Sequence, residues 1–157
     1  MYRAKLCFVF LLFALSSCGP NYIFEETFPL QGDTWTYADS LTFEVDVKDT
    51  LKIYNLYLDL EHSTDFGYQN LYTKINTAFP EGQRISETLS LELQHKSGMW
   101  LGDCSGDYCD LRIPIQEGAY FNASGLHTIT IHQYMRADSL KGVKSLSLRV
   151  EDTGESR

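Results

Sequence analysis

The sequence lacks most of the features by which enzymes, nucleic-acid-binding proteins and helical proteins are recognised. It contains no G-x-S-x-G, H-E-x-x-H or C-x-x-C motif and no phosphate-binding glycine loop. No long segment repeats apolar residues at the 3.6-residue period of a helix. Positive charge is also scarce, with 13 lysines and arginines against 21 aspartates and glutamates. These absences argue against an enzyme, against a helical fold, and against electrostatic binding to nucleic acid or anionic lipid.

Long hydrophobic runs are limited to one segment near the N-terminus. Residues 1–5 (MYRAK) are basic, residues 6–15 are continuously apolar, and two serines precede Cys18. About ten apolar residues cannot span a bilayer, which needs roughly 20 in a helix. The order of basic, apolar and small residues is that of a secretory signal peptide. The final Leu-Ser-Ser-Cys looks like a bacterial lipobox, in which cleavage leaves the cysteine as an acylated N-terminus. The alternative is an ordinary signal peptide followed by a chance cysteine.

The signal peptide sets the expected domain organisation. Loss of residues 1–17 removes Arg3 and Lys5 and moves the net charge from −8 to −10. We expect a lipidated N-terminus and tether over 18–38, one folded domain over 39–151, and a frayed tail over 152–157. Cys18 would hold the protein on a membrane through lipid and not through a spanning helix. A chain of this length buries a core of its own, so folding requires no cofactor.

Only two thiols remain after Cys7 leaves with the signal peptide and Cys18 is acylated. They are Cys104 and Cys109 in the segment DCSGDYCD. In an oxidising cell envelope, two nearby cysteines favour a local disulfide. Zinc would need further ligands close in sequence, and a redox centre would favour C-x-x-C spacing. We therefore predict a disulfide between Cys104 and Cys109.

The same segment partly matches a calcium-binding loop. Asp103, Ser105 and Asp107 stand at alternate positions, as in the opening of such a loop. Tyr108 then occupies the position that requires glycine, and Pro114 the position of the bidentate glutamate. We expect a solvated loop held by its disulfide, with no metal.

Strict alternation of apolar and polar residues predicts seven strands and an all-β fold. Alternation is typical of half-buried strands, and Gly, Pro, Asn and Asp turns separate these segments. Pro114 marks its strand as an edge or a bulge, because proline has no N–H for a ladder. We expect an antiparallel β-sandwich, jelly-roll-like or Ig-like, of seven to eight strands, with His62 and His95 solvated at strand ends. The predicted strands cover 41–47, 52–62, 70–79, 87–95, 111–115, 125–135 and 144–151.

Polar residues within the strand predicted over 125–135 suggest a structural role. His127 and Gln133 share the face of Ile129 and Ile131, so we expect a core histidine and a buried amide bonded to backbone. His132 points to the opposite face, which argues against a metal shared with His127. The following segment, 137–143, has room for one helical turn at most.

Aromatic residues are the most prominent candidates for binding. Trp35, Tyr37 and Trp100 lie in predicted loops, where their rings could stack on a sugar or contact a protein partner. The alternative is that they close the ends of the sandwich core, and we favour this second role for Trp100.

Three stretches of the mature chain contain short motifs that are weak signals one by one but specific in their order and spacing. They are TWTYADSLTFEVDVKDTLKIYNLYLDLEHSTDFGYQNLYTKINTAFPEG, ETLSLELQHKSGMWLGDCSGDY and SGLHTITIHQYMRADSLKGV. Their most telling residues are Trp100-Leu101-Gly102, Gly106-Asp107, and Gln133, Met135 and Arg136. Together with the lipobox at Cys18, this order resembles the gliding-motility lipoprotein H family (GldH) of Bacteroidetes over nearly the whole chain.

The resemblance implies a cell-envelope lipoprotein of gliding motility and its linked secretion apparatus. It implies no enzymatic activity, no active site and no cofactor, with protein partners in the envelope. Residues 19–24 contain no acid, so nothing there indicates retention at the inner membrane or export to the surface, and we expect lipid anchoring in the outer membrane, facing the periplasm. The alternative function is an envelope lipoprotein that binds glycan through aromatic platforms.

The bacterial group implied by the resemblance also O-glycosylates envelope proteins at Asp-Ser or Asp-Thr followed by an apolar residue. Ser40, Thr50 and Ser139 stand in such triplets, each at the edge of a strand or loop. We predict that at least one of them is modified, which an intact mass above that of polypeptide plus lipid would reveal.

Overall fold

The computed structural model describes residues 19–157 and is a sandwich of antiparallel sheets. Cys18 and the signal peptide lie outside the described residues. Within them no helix has the length and apolar character to cross a bilayer. The strands are β1 (Asn21–Pro29), β2 (Thr34–Thr36), β3 (Leu41–Val47), β4 (Lys52–Ser63), β5 (Asn70–Ala78), β6 (Arg84–Glu92), β7 (Asp103–Ser105), β8 (Tyr108–Ala119), β9 (Gly125–Gln133), β10 (Ser139–Lys141) and β11 (Val143–Ser156).

Two large sheets enclose the core. One has the order β1-β11-β4-β8-β7 and the other the order β3-β9-β5-β6, with a small β10-β2 pair beside them. β3 illustrates why these segments form strands, because its residues alternate between buried and exposed over its whole length. Its Phe43 meets Phe24 and Phe28 of β1 edge-to-face, at 6.4 Å and 5.0 Å between ring centroids. The predicted all-β antiparallel sandwich is confirmed, with eleven strands in place of seven to eight.

The structure places residues 21–29 in the sandwich and not in a tether. β1 pairs with β11 from Asn21 to Pro29. Alternation is weak here because Glu26 stands on the face of Phe24 and Phe28, and an edge strand tolerates such an exposed carboxylate. Backbone pairing also extends past 151, since β11 runs to Ser156, and the N–H of Arg157 donates to the carbonyl of Leu51 at 2.9 Å. The folded unit is therefore wider than the predicted 39–151.

Two shorter segments differ from expectation as well. Residues 139–141 form strand β10 against β2 and bury Leu140, where at most a helical turn was predicted. His62 is fully buried and not solvated, because β4 pairs on both sides at this position, with Val143 and Cys109. β7 covers β8 only over Tyr108–Asp110, so Pro114 lies on an open edge as predicted.

The strands run between two ends of the sandwich, which we name by their distance from residue 19. The proximal end carries the start of β1, the connections 48–51, 79–83 and 120–124, and the end of β11. The distal end carries the segments 30–40, 64–69, 93–107 and 134–142, which include the short strands β2, β7 and β10. β4, with twelve residues, spans about 40 Å between them at about 3.3 Å per residue.

Candidate functional site

Trp35 lies within the core and offers no ring to a ligand. It is fully buried in β2, and its indole N–H donates to the carbonyl of Asp39 at 3.0 Å. The Asp39 carboxylate in turn accepts from the backbone N–H and the hydroxyl of Thr36, and these bonds lower its pKa. The burial of Trp35 contradicts the binding role predicted for it and agrees with the alternative that its ring closes the end of the core.

Trp100 is half-buried and also packs inward. Its ring centroid lies 4.6 Å from that of His62, and its indole N–H donates to the carbonyl of Thr64 at 3.2 Å. With its N–H satisfied and one face against His62, the ring joins the loops of the distal end. This geometry agrees with the structural alternative.

Tyr37 lies in a groove at the distal end that the sequence did not reveal. Four exposed tyrosines, Tyr37, Tyr68, Tyr72 and Tyr134, meet there from three separate parts of the chain, each 41–57% exposed. The groove encloses about 1080 Å³, and we call it the tyrosine groove. Its remaining lining residues are Thr88, Gln133, Met135, Arg136 and Ala137.

Gln133 builds one wall of the tyrosine groove. Its side chain is buried, its Nε2 donates to the carbonyl of Ala137 at 3.0 Å, and its Oε1 accepts from the N–H of Met135 at 2.9 Å. These bonds confirm the predicted buried amide and fix the shape of the loop after β9. Tyr134 and Met135, which follow Gln133 in this loop, attach it to the rest of the molecule. The Tyr134 N–H donates to the carbonyl of Tyr72, and the Met135 carbonyl accepts from the hydroxyl of Tyr37.

The tyrosine groove has no acidic residue in its lining. None of the residues that line it carries a carboxylate, although the whole chain has a net charge of −8. Arg136 is part of the lining, and the ammonium of Lys74 lies 5.8 Å from the centroid of Tyr134. The groove is thus a neutral to basic, phenol-rich surface on an acidic protein.

A second concave surface lies on the outer face of the β1-β11-β4-β8-β7 sheet and encloses about 730 Å³. At its centre the Asp59 carboxylate accepts from Arg112 at 2.7 Å and 2.8 Å and also from Arg149. Partial burial raises the pKa of Asp59, but the two guanidinium groups outweigh it and hold that pKa below its usual value. The Asp59 carboxylate in turn raises the pKa of Arg112. Because these charges satisfy one another, the surface is better suited to stabilising the sheet than to binding a ligand.

The cysteine pair forms a disulfide, as predicted. Cys104 of β7 stands directly opposite Cys109 of β8, so the bond closes the end of a tight hairpin. Asp103 and Asp107 lie on this hairpin, and across the described residues 19–157 no three potential ligands are grouped to hold a metal.

The structure shows where the three predicted glycosylation sites lie but does not test whether they are modified. Ser40 and Ser139 are exposed near the distal end, and Thr50 is half-buried in the 48–51 connection of the proximal end. Their glycosylation stays a prediction, as does acylation of Cys18. Only Gly19 and Pro20, both exposed, separate Cys18 from the first residue of β1.

The fold and its surfaces are those of a small all-β protein with a surface groove and without a recognisable catalytic group among its described residues. The GldH lipoprotein family model matches residues 22–150. The chain therefore belongs to the GldH lipoprotein family, and the resemblance seen in the sequence is confirmed.

Two curated relatives span nearly the same length. The gliding motility lipoprotein GldH homolog of Christiangramia forsetii is 28% identical over 151 residues, covering 92% of this chain and 92% of the relative. Gliding motility lipoprotein GldH of Flavobacterium johnsoniae is 25% identical over 158 residues, covering 95% of this chain and 98% of the relative. A solved structure of TmCBM61 with beta-1,4-galactotriose aligns with 80% of this chain and 65% of its own at 14% identity, and its TM-score of 0.31 is too low to establish a shared fold.

Proposed function

We propose that this protein is a lipid-anchored accessory component of the gliding machinery and its linked secretion apparatus, and that it binds an envelope protein through the tyrosine groove. The acylated Cys18 holds it in the outer membrane facing the periplasm, and the protein catalyses no reaction. Family membership and the names of both relatives support the process. The groove supports the mode of action.

The observation that carries the proposal is the composition of the groove. Tyrosine, methionine and arginine are enriched at protein–protein interfaces, and Tyr and Arg dominate their energetic hot spots. Here four tyrosines, Met135 and Arg136 line one concave surface. Each tyrosine offers a large apolar ring and a hydroxyl at low entropic cost, because its side chain has only two rotatable angles. The hydrogen bonds of Gln133 also pre-form the loop that carries Tyr134 and Met135.

Crosslinking of the native lipoprotein in cells, followed by pull-down and mass spectrometry, tests the proposal. The double variant Tyr68→Ala/Tyr134→Ala should lose the motility or secretion components that the wild type captures. Each side chain is partly exposed, so the fold should tolerate both changes. Met99→Ala, 63% exposed and outside the lining of the groove, is the matched control and should retain the partners. Capture of the same components by the double variant would contradict a role for the groove.

Glycan binding is the second candidate, and the same exposed rings favour it. Tyr37, Tyr68, Tyr72 and Tyr134 could stack on sugar rings, with Arg136 and Thr88 as hydrogen-bonding groups at the margin. A glycan array probed with wild type and with Tyr68→Ala/Tyr134→Ala separates the two functions. Signal that depends on both tyrosines, without capture of any motility or secretion component, would establish the glycan function in place of the protein one.

A further inference from the structure

The proximal end of the sandwich, where β1 begins, carries an exposed cluster of two large hydrophobic residues and an arginine. Leu51 is 60% exposed and Tyr120 is 51% exposed. Arg157 joins them, because its N–H donates to the Leu51 carbonyl at 2.9 Å and its guanidinium lies 4.4 Å from the centroid of Tyr120. We call these three residues the proximal cluster.

The link to Cys18 restricts how far this cluster can lie from a membrane. Only Gly19 and Pro20 stand between Cys18 and Asn21, where β1 and its pairing with β11 begin. Three residue steps cover about 11 Å at most when fully extended. If Cys18 carries the lipid, the start of β1 lies no more than about 11 Å from the acylated residue, and the domain has no longer tether with which to move away from the bilayer.

We propose that the protein stands end-on at the bilayer, with the proximal cluster in the headgroup region and the tyrosine groove about 40 Å away. This inference rests on acylation of Cys18, which belongs to the proposed function, and adds the orientation of the domain. The occupant of the proximal cluster is the surface of the lipid bilayer.

The chemistry of the cluster suits that occupant. An aromatic ring with a polar tip is the side chain that prefers a membrane–water interface. Arg157 can lay its apolar stem along lipid while its charged group stays in water. Tyr120 and Arg157 therefore combine in one contact the two features of an interfacial anchor, and Leu51 adds apolar area beside them.

The other way of placing a short-linked domain on a bilayer is on its β1 edge. That arrangement would press the exposed Glu26 of β1 against the headgroups, whereas the neighbouring Glu25 pairs with Arg149. End-on docking keeps the Glu26 carboxylate away from the bilayer. Of the acids near the proximal cluster, Asp152 pairs with Lys52 at 3.3 Å and Asp49 accepts the N–H of Leu51 at 2.8 Å, while Glu155 is exposed.

Tryptophan quenching in vesicles tests the orientation. The full-length lipidated protein is reconstituted in phosphatidylcholine vesicles with brominated acyl chains, and the wild type gives the background from Trp35 and Trp100, which both lie at the distal end. Tyr120→Trp should lose about half of its added emission, as expected for a side chain buried 5–10 Å into the interface. Tyr134→Trp is the matched control, since that ring is 57% exposed and also contacts a cation, and it should stay unquenched.

The outcomes separate this inference from the proposed function. If the protein floats with the vesicles but both variants are quenched alike, or neither is, the end-on orientation is wrong and the anchor stands. If the wild type does not float with vesicles, the anchor and the orientation both fail. Leu51→Trp gives an independent reading at a second proximal position and should behave like Tyr120→Trp.

Discussion

Gly102 gives a physical reason for one of the motif residues seen in the sequence. Its φ is +82°, and a Cβ built there would lie 2.3 Å from the carbonyl oxygen of Asp110. The backbone of the 93–102 loop thus lies directly on β8, which is possible only without a side chain. The glycine of the Trp100-Leu101-Gly102 motif is therefore explained by close packing of backbone on backbone.

Substitution of Gly102 by alanine should destabilise the protein more than the same change at Gly98. Gly98 has a similar φ of +84° but open space around the built Cβ, so Gly98→Ala should cost only the left-handed strain of about 1–2 kcal/mol. Gly102→Ala adds the clash with β8, for a further loss of about 1–3 kcal/mol. Urea denaturation of both variants measures the difference. Equal losses would show that the loop moves away from β8 at little cost.

Asp59 should make the stability of the protein sensitive to acid. Its folded-state pKa is lowered, so its contribution is complete above the unfolded value of about 3.9 and is lost as the pH falls through the folded value. Asp59→Asn should reduce the free energy of unfolding by about 1–3 kcal/mol at pH 7, because Arg112 and Arg149 lose their shared carboxylate.

Chemical denaturation from pH 7 to pH 3 checks this expectation. The difference in the free energy of unfolding between wild type and Asp59→Asn should narrow below about pH 4, where the wild type loses the contribution of its carboxylate. Asp46→Asn is the control, since Asp46 meets Lys48 in an exposed ion pair, and it should cost less than about 1 kcal/mol. A gap that is constant with pH would mean that Asp59 acts through packing and not through its charge.

At the scale of elements, the sequence predicted the strands that alternate and missed those that do not. β3 and β4 have buried apolar residues at every second position, so their existence followed from the pattern alone. β1 was hidden by Glu26, and β2, β7 and β10 are three-residue strands too short to show a period. The tyrosine groove could not be predicted from the sequence, because its lining comes from several separate segments that only the fold brings together. Tyr37 was the one member that loop aromaticity singled out.

The disulfide should stabilise its hairpin locally and leave the sandwich intact. The closed loop between Cys104 and Cys109 is about six residues long, for which chain entropy gives about 2 kcal/mol. In Cys104→Ala/Cys109→Ala we expect faster amide exchange in β7 and in the 105–108 turn, with β4 and β11 unchanged. Hydrogen exchange read by mass spectrometry reports both regions at once. Faster exchange throughout β4 would instead place the disulfide among the determinants of the whole sheet.

At the scale of the whole molecule, the two ends of the sandwich have different surfaces. The proximal end carries Leu51, Tyr120 and Arg157 together with the start of β1, and the distal end carries the tyrosine groove. An end-on orientation would therefore present the groove to partners away from the bilayer. It would also leave Ser40 and Ser139 open to modification and bring Thr50 close to lipid headgroups.

The length of the link between Cys18 and β1 should control this orientation. Full burial of a leucine side chain is worth only about 1.5–3 kcal/mol, so the proximal cluster is too small to hold the domain on the membrane without the anchor. Insertion of a 20-residue Gly-Ser linker between Pro20 and Asn21 gives an average reach of about 25 Å and lowers the local concentration of the cluster at the surface. Quenching of Tyr120→Trp by brominated lipid should then fall to near that of Tyr134→Trp, while flotation with vesicles persists.

A rigid insert of equal length, built from (EAAAK) repeats, should abolish the quenching as well, because it holds the proximal end away from the headgroups. Quenching that survives both inserts would mean that the proximal cluster binds lipid strongly by itself, and that the two-residue link is not what sets the orientation.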